Sequence, residues 1–259
     1  MFLMFVPFKL YKELQIIGKK NLNKKLDVRK MLFNTFIISF TVLILGFAIN
    51  FKYAVGYLSI LIVHELGHYI TAKFLKLNVT FGGFTPIGAY ITHEDPKNCK
   101  ENALIALGGP LLGGILGVIC YIIYYITGDY TFLALSFTAI TINLSNLIPV
   151  KPLDGGHIVE SISPILCYIG FPFLIYLFIS VNNLKSKVIL LFIMAAGAYQ
   201  TYNFTIKYKT DSYYKVDKHS KIIFIIIYSL LVLSLAGSAI YIYNAFDYKC
   251  IFKNISRYK

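Results

Sequence analysis

Long apolar runs, separated by short segments that carry most of the charge, make up the greater part of this sequence. Several runs reach the roughly 20 residues that a helix needs to cross the hydrocarbon core of a bilayer. They occupy residues 31–49, 54–75, 103–127, 131–148, 164–181, 187–205 and 222–244. The pattern predicts an all-α polytopic membrane protein with six to seven transmembrane helices, and it leaves open whether all of the last three runs cross.

The segment between the second and third runs has a different composition. Residues 78–92 combine β-branched and aromatic side chains with glycines and Pro86. This predicts short strands, and the segment is too apolar for a free loop, so we expect a short re-entrant β-hairpin buried against protein. In the polar stretch that follows, His93, Glu94 and Asp95 could form a metal site of their own. No helical pairing supports that site, so a solvated loop is favoured.

Composition and charge agree with a membrane protein and argue against nucleic-acid binding. Of the 259 residues, 57% are hydrophobic and only 14% are charged, more apolar surface than a soluble domain of this size needs. The net charge of +13 comes from basic residues between the spans, many of them before the first span. This is the positive-inside pattern, which predicts a multi-pass protein of the cell membrane with a cytoplasmic N-terminus in contact with lipid headgroups.

The second apolar run contains an H-E-x-x-H motif formed by His64, Glu65 and His68. Residues four apart share a face of a helix, so both imidazoles can point at one metal ion, and Glu65 is placed to act on a metal-bound water. Such polar groups inside a membrane span are costly and are functional by default. The alternative is a pair of hydrogen-bonded core histidines at an accidental spacing, which the presence of only five His in the chain disfavours.

The fourth run ends in a break made of prolines and glycines, at the cytoplasmic end where the metal-binding face of the second run is expected. Asp154 lies in this break, directly before Gly155 and Gly156. An aspartate before a glycine is also common in ordinary turns. Beside a two-histidine site that lacks a third ligand, however, the metal-ligand interpretation of Asp154 is favoured.

Glycines recur every four residues in the third run, at Gly109, Gly113 and Gly117. This small-xxx-small pattern predicts close approach of another helix. A nucleotide-binding glycine loop is the rival interpretation. It is disfavoured because no Lys-Ser/Thr pair follows and no strand–helix context is visible.

With these motifs in place, the chain resembles the site-2 proteases, which are intramembrane zinc metalloproteases. The resemblance is greatest to the compact branch related to the sporulation protease that activates a sigma factor. The H-E-x-x-H signature of that family is matched in the second run, and a second signature, N-x-x-P-x-x-x-x-D-G, follows in the right order. The second signature is matched by Asn146, Pro149, Asp154 and Gly155. His157 occupies a position that is often basic in the family, where a supporting role and an ordinary turn residue are both open.

The resemblance implies that His64, His68 and Asp154 bind Zn²⁺, that Glu65 activates the water, and that Asn146 supports the substrate or the transition state. It implies hydrolysis of a peptide bond within or near the transmembrane helix of a membrane-anchored substrate, in regulated intramembrane proteolysis. The alternative function is a non-proteolytic zinc-binding membrane transporter or scaffold, which leaves Glu65 without a role.

This interpretation divides the chain into three parts. Residues 1–30 are expected to form a basic amphipathic segment on the cytoplasmic membrane surface. Residues 31–205 would form the metalloprotease domain, with a core at 54–163. Residues 206–259 would supply a basic loop, the last transmembrane helix and a tail.

Overall fold

The computed structural model of the chain is described over residues 28–85 and 88–245, so most of the expected N-terminal segment and the C-terminal tail lie outside the described residues. Within that part the chain forms eight α-helices and one hairpin of two antiparallel strands. In chain order the elements are α1 (Val28–Ala48), α2 (Phe51–Phe74), β1 (Val79–Thr85), β2 (Gly88–His93), α3 (Cys99–Thr127), α4 (Tyr130–Asn146), α5 (Asp154–Glu160), α6 (Pro164–Ser180), α7 (Leu184–Lys207), a 3-10 turn (Ser212–Tyr214) and α8 (Lys218–Ala245).

The prediction of a mostly helical chain with a β-hairpin between the second and third helices is confirmed. The main difference lies in the break after α4, which continues as a loop only as far as Leu153 and then forms the short helix α5, beginning at Asp154. In the described part, three helices are long and apolar enough to cross a membrane, and two apolar helices are shorter. The three are Cys99–Thr127, Ser186–Lys207 and Lys218–Asn244, and the shorter two are Asn34–Ala48 and Pro164–Ser180. The chain is therefore a membrane protein, while the number of spans stays a prediction.

Polar residues at the helix ends explain where several of the long helices begin and end. Asn50 caps α2 by accepting a hydrogen bond of 2.6 Å from the backbone N–H of Tyr53. Asn98 caps α3 in the same way, and Gly128 ends that helix with a left-handed φ of 69°. Asparagine is among the preferred N-cap residues and glycine is favoured where the helix ends in a left-handed conformation.

The two ends of the helical bundle are identified by contacts between distant residues. Lys52, at the start of α2, pairs with Asp129 in the turn between α3 and α4. Burial alone would raise the pKa of Asp129, but the hydrogen bonds from Lys52 and from the backbone of Thr131 outweigh it and hold the pKa below its usual range. At the other end, Lys100 of α3 lies 2.7 Å from the hydroxyl of Ser220 of α8. We call this second end, where α2 and α4 finish and α3 and α8 start, the site end.

The backbones of α2 and α3 touch where both carry glycine. A Cβ atom on Gly67 would lie 2.1 Å from the carbonyl oxygen of Gly108, and one on Gly108 would lie 2.4 Å from the carbonyl oxygen of Gly67. A Cβ on Gly117 would lie 2.9 Å from the side chain of Ile140 in α4. The predicted close approach along the glycine face of α3 is therefore confirmed, and α3 is packed between α2 and α4.

Candidate metal centre

Helix α2 presents His64, Glu65 and His68 inside the bundle, and all three side chains are buried. The Nε2 atoms of the two histidines lie 3.1 Å apart. Possible ligand atoms of His64, Glu65 and His68 all lie within 4.8 Å of one another. The four-residue spacing thus brings both imidazoles to one point, as the sequence predicts.

Asp154 reaches the same point from the first residue of α5. Its Oδ2 atom lies 3.3 Å from Nε2 of His64 and 3.4 Å from Nε2 of His68. The same oxygen is buried and receives no hydrogen bond from the described residues. A buried acceptor without a donor is costly, so this oxygen is suited to a cation.

The other ring nitrogen of each histidine has its own partner. Nδ1 of His64 lies 2.8 Å from Oδ1 of Asn143, whose amide nitrogen donates a hydrogen bond of 2.7 Å to the carbonyl oxygen of Ala139. Nδ1 of His68 lies 2.7 Å from the carbonyl oxygen of Ile105. Both partners are acceptors, so each imidazole carries its hydrogen on Nδ1 and points the Nε2 lone pair at the common centre.

The donor set fits a zinc ion. Two atoms that bind one zinc at about 2.0–2.1 Å in tetrahedral geometry are about 3.3 Å apart. The separations among the three atoms run from 3.1 to 3.4 Å. Three lone pairs at such distances repel one another unless a cation lies between them, and two imidazoles with one carboxylate form a known type of catalytic zinc site. Glu65 is close enough to be considered as a ligand, but Asp154 lies nearer to both Nε2 atoms.

Glycines on α3 leave the space that the histidines fill. A Cβ atom on Gly109 would lie 2.4 Å from Nε2 of His68 and 2.9 Å from Cε1 of His64. A Cβ on Gly113 would lie 2.3 Å from Oδ1 of Asn143, the partner of His64. The glycine pattern therefore serves the candidate centre as well as helix packing.

The loop before Asp154 is packed against the first turn of α5 and against the last three helices. Cβ atoms on Gly155 and Gly156 would lie 2.2 Å from the carbonyl oxygen of Leu147 and 2.3 Å from the backbone nitrogen of Lys151, so the turn closes only with glycine there. The hydroxyl of Tyr228 in α8 also donates a hydrogen bond of 2.5 Å to the carbonyl oxygen of Leu147.

The side chain of Val150 in the same loop fits between α6 and α7. Cβ atoms on Gly170 and Gly197 would lie 2.4 and 2.3 Å from this side chain. Together with the hydrogen bond from α8, this packing means that the last three helices hold the loop that carries Asp154.

Two further candidates from the sequence also lie near the centre. Nδ2 of Asn146 lies 3.5 Å from Nε2 of His64, so its amide borders the three converging atoms. Nδ1 of His157 lies 3.0 Å from the amide nitrogen of Asn102 on α3. Within the described residues, His93, Glu94 and Asp95 do not form a second group of converging ligand atoms. His93 instead uses Nδ1 on the carbonyl oxygen of Glu94, at 2.7 Å.

Sequence reasoning missed Asn143 and the carbonyl of Ile105. Asn143 had a detectable signal, because an asparagine in the middle of an apolar run is a polar group that needs a partner. The carbonyl group of Ile105 had none, since every residue carries one and only the packing of α2 on α3 selects it.

Comparison with known proteins gives the following similarities. Residues 52–134 match the pattern of peptidase family M50. A zinc metalloprotease of Methanocaldococcus jannaschii is 32% identical over 140 residues, which are 49% of this chain and 40% of that protein. Stage IV sporulation protein FB of Bacillus subtilis is 30% identical over 105 residues, which are 39% of this chain and 36% of that protein. The chain thus spans less than half the length of these curated relatives.

A solved site-2 protease from Methanocaldococcus jannaschii is similar to 72% of this chain and 90% of that chain, with a TM-score of 0.43 and 20% identity. The family match covers α2, the hairpin, α3 and the start of α4, and therefore includes the H-E-x-x-H motif. The similarity to peptidase family M50 is therefore carried by residues 52–134 of this chain.

Proposed function

We propose that this chain is an intramembrane zinc metalloprotease that hydrolyses a peptide bond within or near the transmembrane helix of a membrane-anchored protein. The observation that carries the proposal is the convergence of His64 Nε2, His68 Nε2 and Asp154 Oδ2 within 3.4 Å of one another, with Glu65 adjacent. The family M50 match of residues 52–134 supports the same reaction class.

His64, His68 and Asp154 would hold the metal, and Glu65 would carry the proton. A zinc ion held by these residues would supply a water of lowered pKa and would polarise the scissile carbonyl. Glu65 accepts the proton of the attacking water and donates it to the leaving amine nitrogen, so that no free acid or base is needed inside the membrane. Asn143 and Ile105 keep the two imidazoles oriented throughout.

The hairpin gives a route by which an extended substrate can reach Glu65. Strand β2 packs against α2, the helix that carries Glu65, so the hairpin borders the proposed base. A substrate helix must unwind before cleavage because its carbonyl groups are hydrogen-bonded, and unpaired backbone groups cost several kcal/mol each in lipid. Pairing of the opened segment with the hairpin as an added strand would satisfy those groups.

The partners follow from this chemistry. They are a membrane-anchored protein substrate and the lipid bilayer, with the N-terminus of the chain on the cytoplasmic side. The alternative, a zinc-binding transporter or scaffold without proteolysis, accounts for the buried ligands but gives Glu65 no role. Turnover that depends on Glu65 separates the two functions.

The test is incubation of purified, zinc-loaded protein in liposomes with single-span membrane proteins, followed by mass spectrometry of the products. We expect new termini within or near the substrate's transmembrane segment, and none with Glu65→Gln. Cleavage that continues in Glu65→Gln would remove Glu65 from the chemistry. Zinc binding without cleavage of any single-span substrate would favour the transporter or scaffold.

A further inference from the structure

A buried ion pair joins residues on either side of the turn that carries Asp154. The carboxylate of Glu160, the last residue of α5, is 1% exposed, and its Oε1 contacts the ammonium group of Lys151, whose side chain is 14% exposed. Neither residue belongs to the motifs that identify the family in the sequence. Burying two charges is costly even when they are paired, so a buried pair of this kind is a poor source of stability.

Asn102 connects this pair to α3. Its amide nitrogen lies 3.2 Å from Oε2 of Glu160 and 3.0 Å from Nδ1 of His157. Oε2 of the carboxylate accepts one of the two amide hydrogens, so the other is available for the His157 nitrogen, which must then be the unprotonated one. Glu160 is thus hydrogen-bonded through both oxygens.

The same stretch of α3 holds one of the proposed metal ligands. The carbonyl oxygen of Ile105, three residues after Asn102, lies 2.7 Å from Nδ1 of His68. Lys151 precedes Asp154 by three residues and Glu160 follows it by six. The ion pair therefore joins the two ends of the segment that contains Asp154. The turn of α3 from Asn102 to Ile105 therefore orients the ring of His68 directly. Through Asn102 it also holds the segment that contains Asp154.

We infer that Asn102, Glu160 and Lys151 form a brace that positions the Asp154 carboxylate against the two histidines. This inference rests on the proposed function, because it needs Asp154 to bind the metal. The three are positioning residues, since they act through Asp154 and touch none of the converging atoms. Partners that orient metal ligands commonly change metal affinity by about 10- to 100-fold when they are removed.

The experiment is a double-mutant cycle on zinc affinity, measured by competition with a chelator on the full chain in detergent. Asn102→Ala should weaken zinc binding by about tenfold or more in the wild-type background. In the Asp154→Ala background it should change the affinity by less than about threefold, because the brace has no ligand left to position. The matched control is Lys100→Ala, a surface lysine on the same turn that contacts Ser220, and it should leave the affinity unchanged.

A second variant keeps the test valid if Asn102→Ala does not fold. Lys151→Met combined with Glu160→Met replaces the buried pair by apolar side chains, which commonly preserves folding. We expect a retained thermal midpoint, weaker zinc binding, and an altered absorption spectrum of the cobalt-substituted protein. Unchanged zinc affinity together with an unchanged cobalt spectrum in this variant would overturn the brace.

The outcomes separate the brace from the proposed function. If Asp154→Ala weakens zinc binding and Asn102→Ala does not, the brace alone is wrong. Equal losses from Asn102→Ala in both backgrounds would also overturn it, because the effect would then not pass through Asp154. If Asp154→Ala itself leaves zinc affinity unchanged, both the ligand assignment and the brace that depends on it are wrong.

Discussion

The Nδ1 atom of His64 lies 2.8 Å from Oδ1 of Asn143, a residue 79 positions later in the chain. The amide of Asn143 is itself oriented by the carbonyl of Ala139, one turn earlier on α4. The direction of the Nε2 lone pair of His64 is therefore set by α4 as well as by its own helix. The candidate metal centre on α2 thus depends on the packing of a different helix.

Removing this partner should weaken metal binding. We expect Asn143→Ala to lower zinc affinity by about 10- to 100-fold, because His64 loses the acceptor that fixes its ring and its tautomer. Chelator competition measures the loss. Ser136→Ala is the matched control, since Ser136 is also buried on α4 and bonds α3 through the carbonyl oxygen of Gly117, outside the centre. Equal zinc affinity in wild type and Asn143→Ala would show that His64 is oriented in another way.

A methyl group on Gly109 should destroy the centre. Its Cβ would lie 2.4 Å from Nε2 of His68, a distance that real Cβ atoms essentially never show, and both histidine rings are held by partners and cannot easily move. We expect Gly109→Ala to lose zinc at concentrations that saturate the wild type, as measured by metal content. Gly114→Ala, on the same helix, meets only the end of the Leu235 side chain at 3.0 Å and should keep its zinc. Full zinc content in Gly109→Ala would contradict the packing described for α2 and α3.

The sequence predicts the part of the site that lies on one helix, but it does not predict contacts between residues far apart in the chain. The i, i+4 spacing of His64 and His68 is a property of one helix, so it could be read directly. Asp154 was predicted as a third ligand because a chain break and a family resemblance drew attention to it, although its placement at the start of a short helix was not foreseen. The pairing of Glu160 with Asn102 joins residues 58 positions apart, and no local pattern indicates it.

The hairpin was predicted from local sequence, whereas the positions of the helix ends were not. Aromatic and β-branched composition predicted strands between α2 and α3, and the structure has them at Val79–Thr85 and Gly88–His93. Helix ends were displaced by a few residues because capping by Asn50 and Asn98 starts α2 and α3 before their apolar runs begin. Hydropathy alone does not detect such polar first turns.

The site end of the bundle should face the cytoplasm. The lysines of the described residues are concentrated there, and the positive-inside rule places such an end in the cytoplasm. They are Lys30, Lys73, Lys76, Lys97, Lys100, Lys151, Lys207, Lys209, Lys215, Lys218 and Lys221. The opposite end carries Lys52, Lys185 and Lys187.

Two cysteine probes test this orientation. Asn182 and Lys209 are both exposed and lie in the turns at opposite ends of α7. Native Cys99, Cys120 and Cys167 are buried, so only Cys250 needs replacement in the background. We expect a membrane-impermeant reagent to label Asn182→Cys in intact cells, and Lys209→Cys only after permeabilisation. The reverse pattern would invert the orientation, and labelling of both in intact cells would mean that α7 does not cross.

Cleavage should depend on how easily the substrate helix opens. Gly and Pro disfavour a helix by about 1 and about 3 kcal/mol relative to Ala, so replacing such residues near the cytoplasmic end of a substrate with Leu should slow cleavage. Quantified product release in liposomes measures the effect. Leu-only substrates that are cut at the original rate would show that unwinding is not the selective step.

The hairpin should contribute to the same step. Thr80 on β1 pairs with Thr92 on β2, with their hydroxyl groups 2.8 Å apart. Thr80→Pro removes a backbone donor from the hairpin, so we expect slower cleavage with zinc content unchanged. Thr80→Val keeps the strand and the volume of the side chain and serves as the control. Unaltered cleavage by Thr80→Pro would argue against pairing of the substrate with β1.

The most direct test of the account is the zinc content of three purified variants, measured by mass spectrometry of the metal after dialysis. We expect about one zinc per chain in the wild type and in Glu65→Gln, because the role proposed for Glu65 is that of a base and not of a ligand, with proteolysis lost in Glu65→Gln. His68→Ala and Asp154→Ala should both lose most of the metal, since each removes one of the three proposed ligands. Retention of one zinc per chain by Asp154→Ala, or loss of zinc by Glu65→Gln, would contradict the assignment of His64, His68 and Asp154 as the metal ligands.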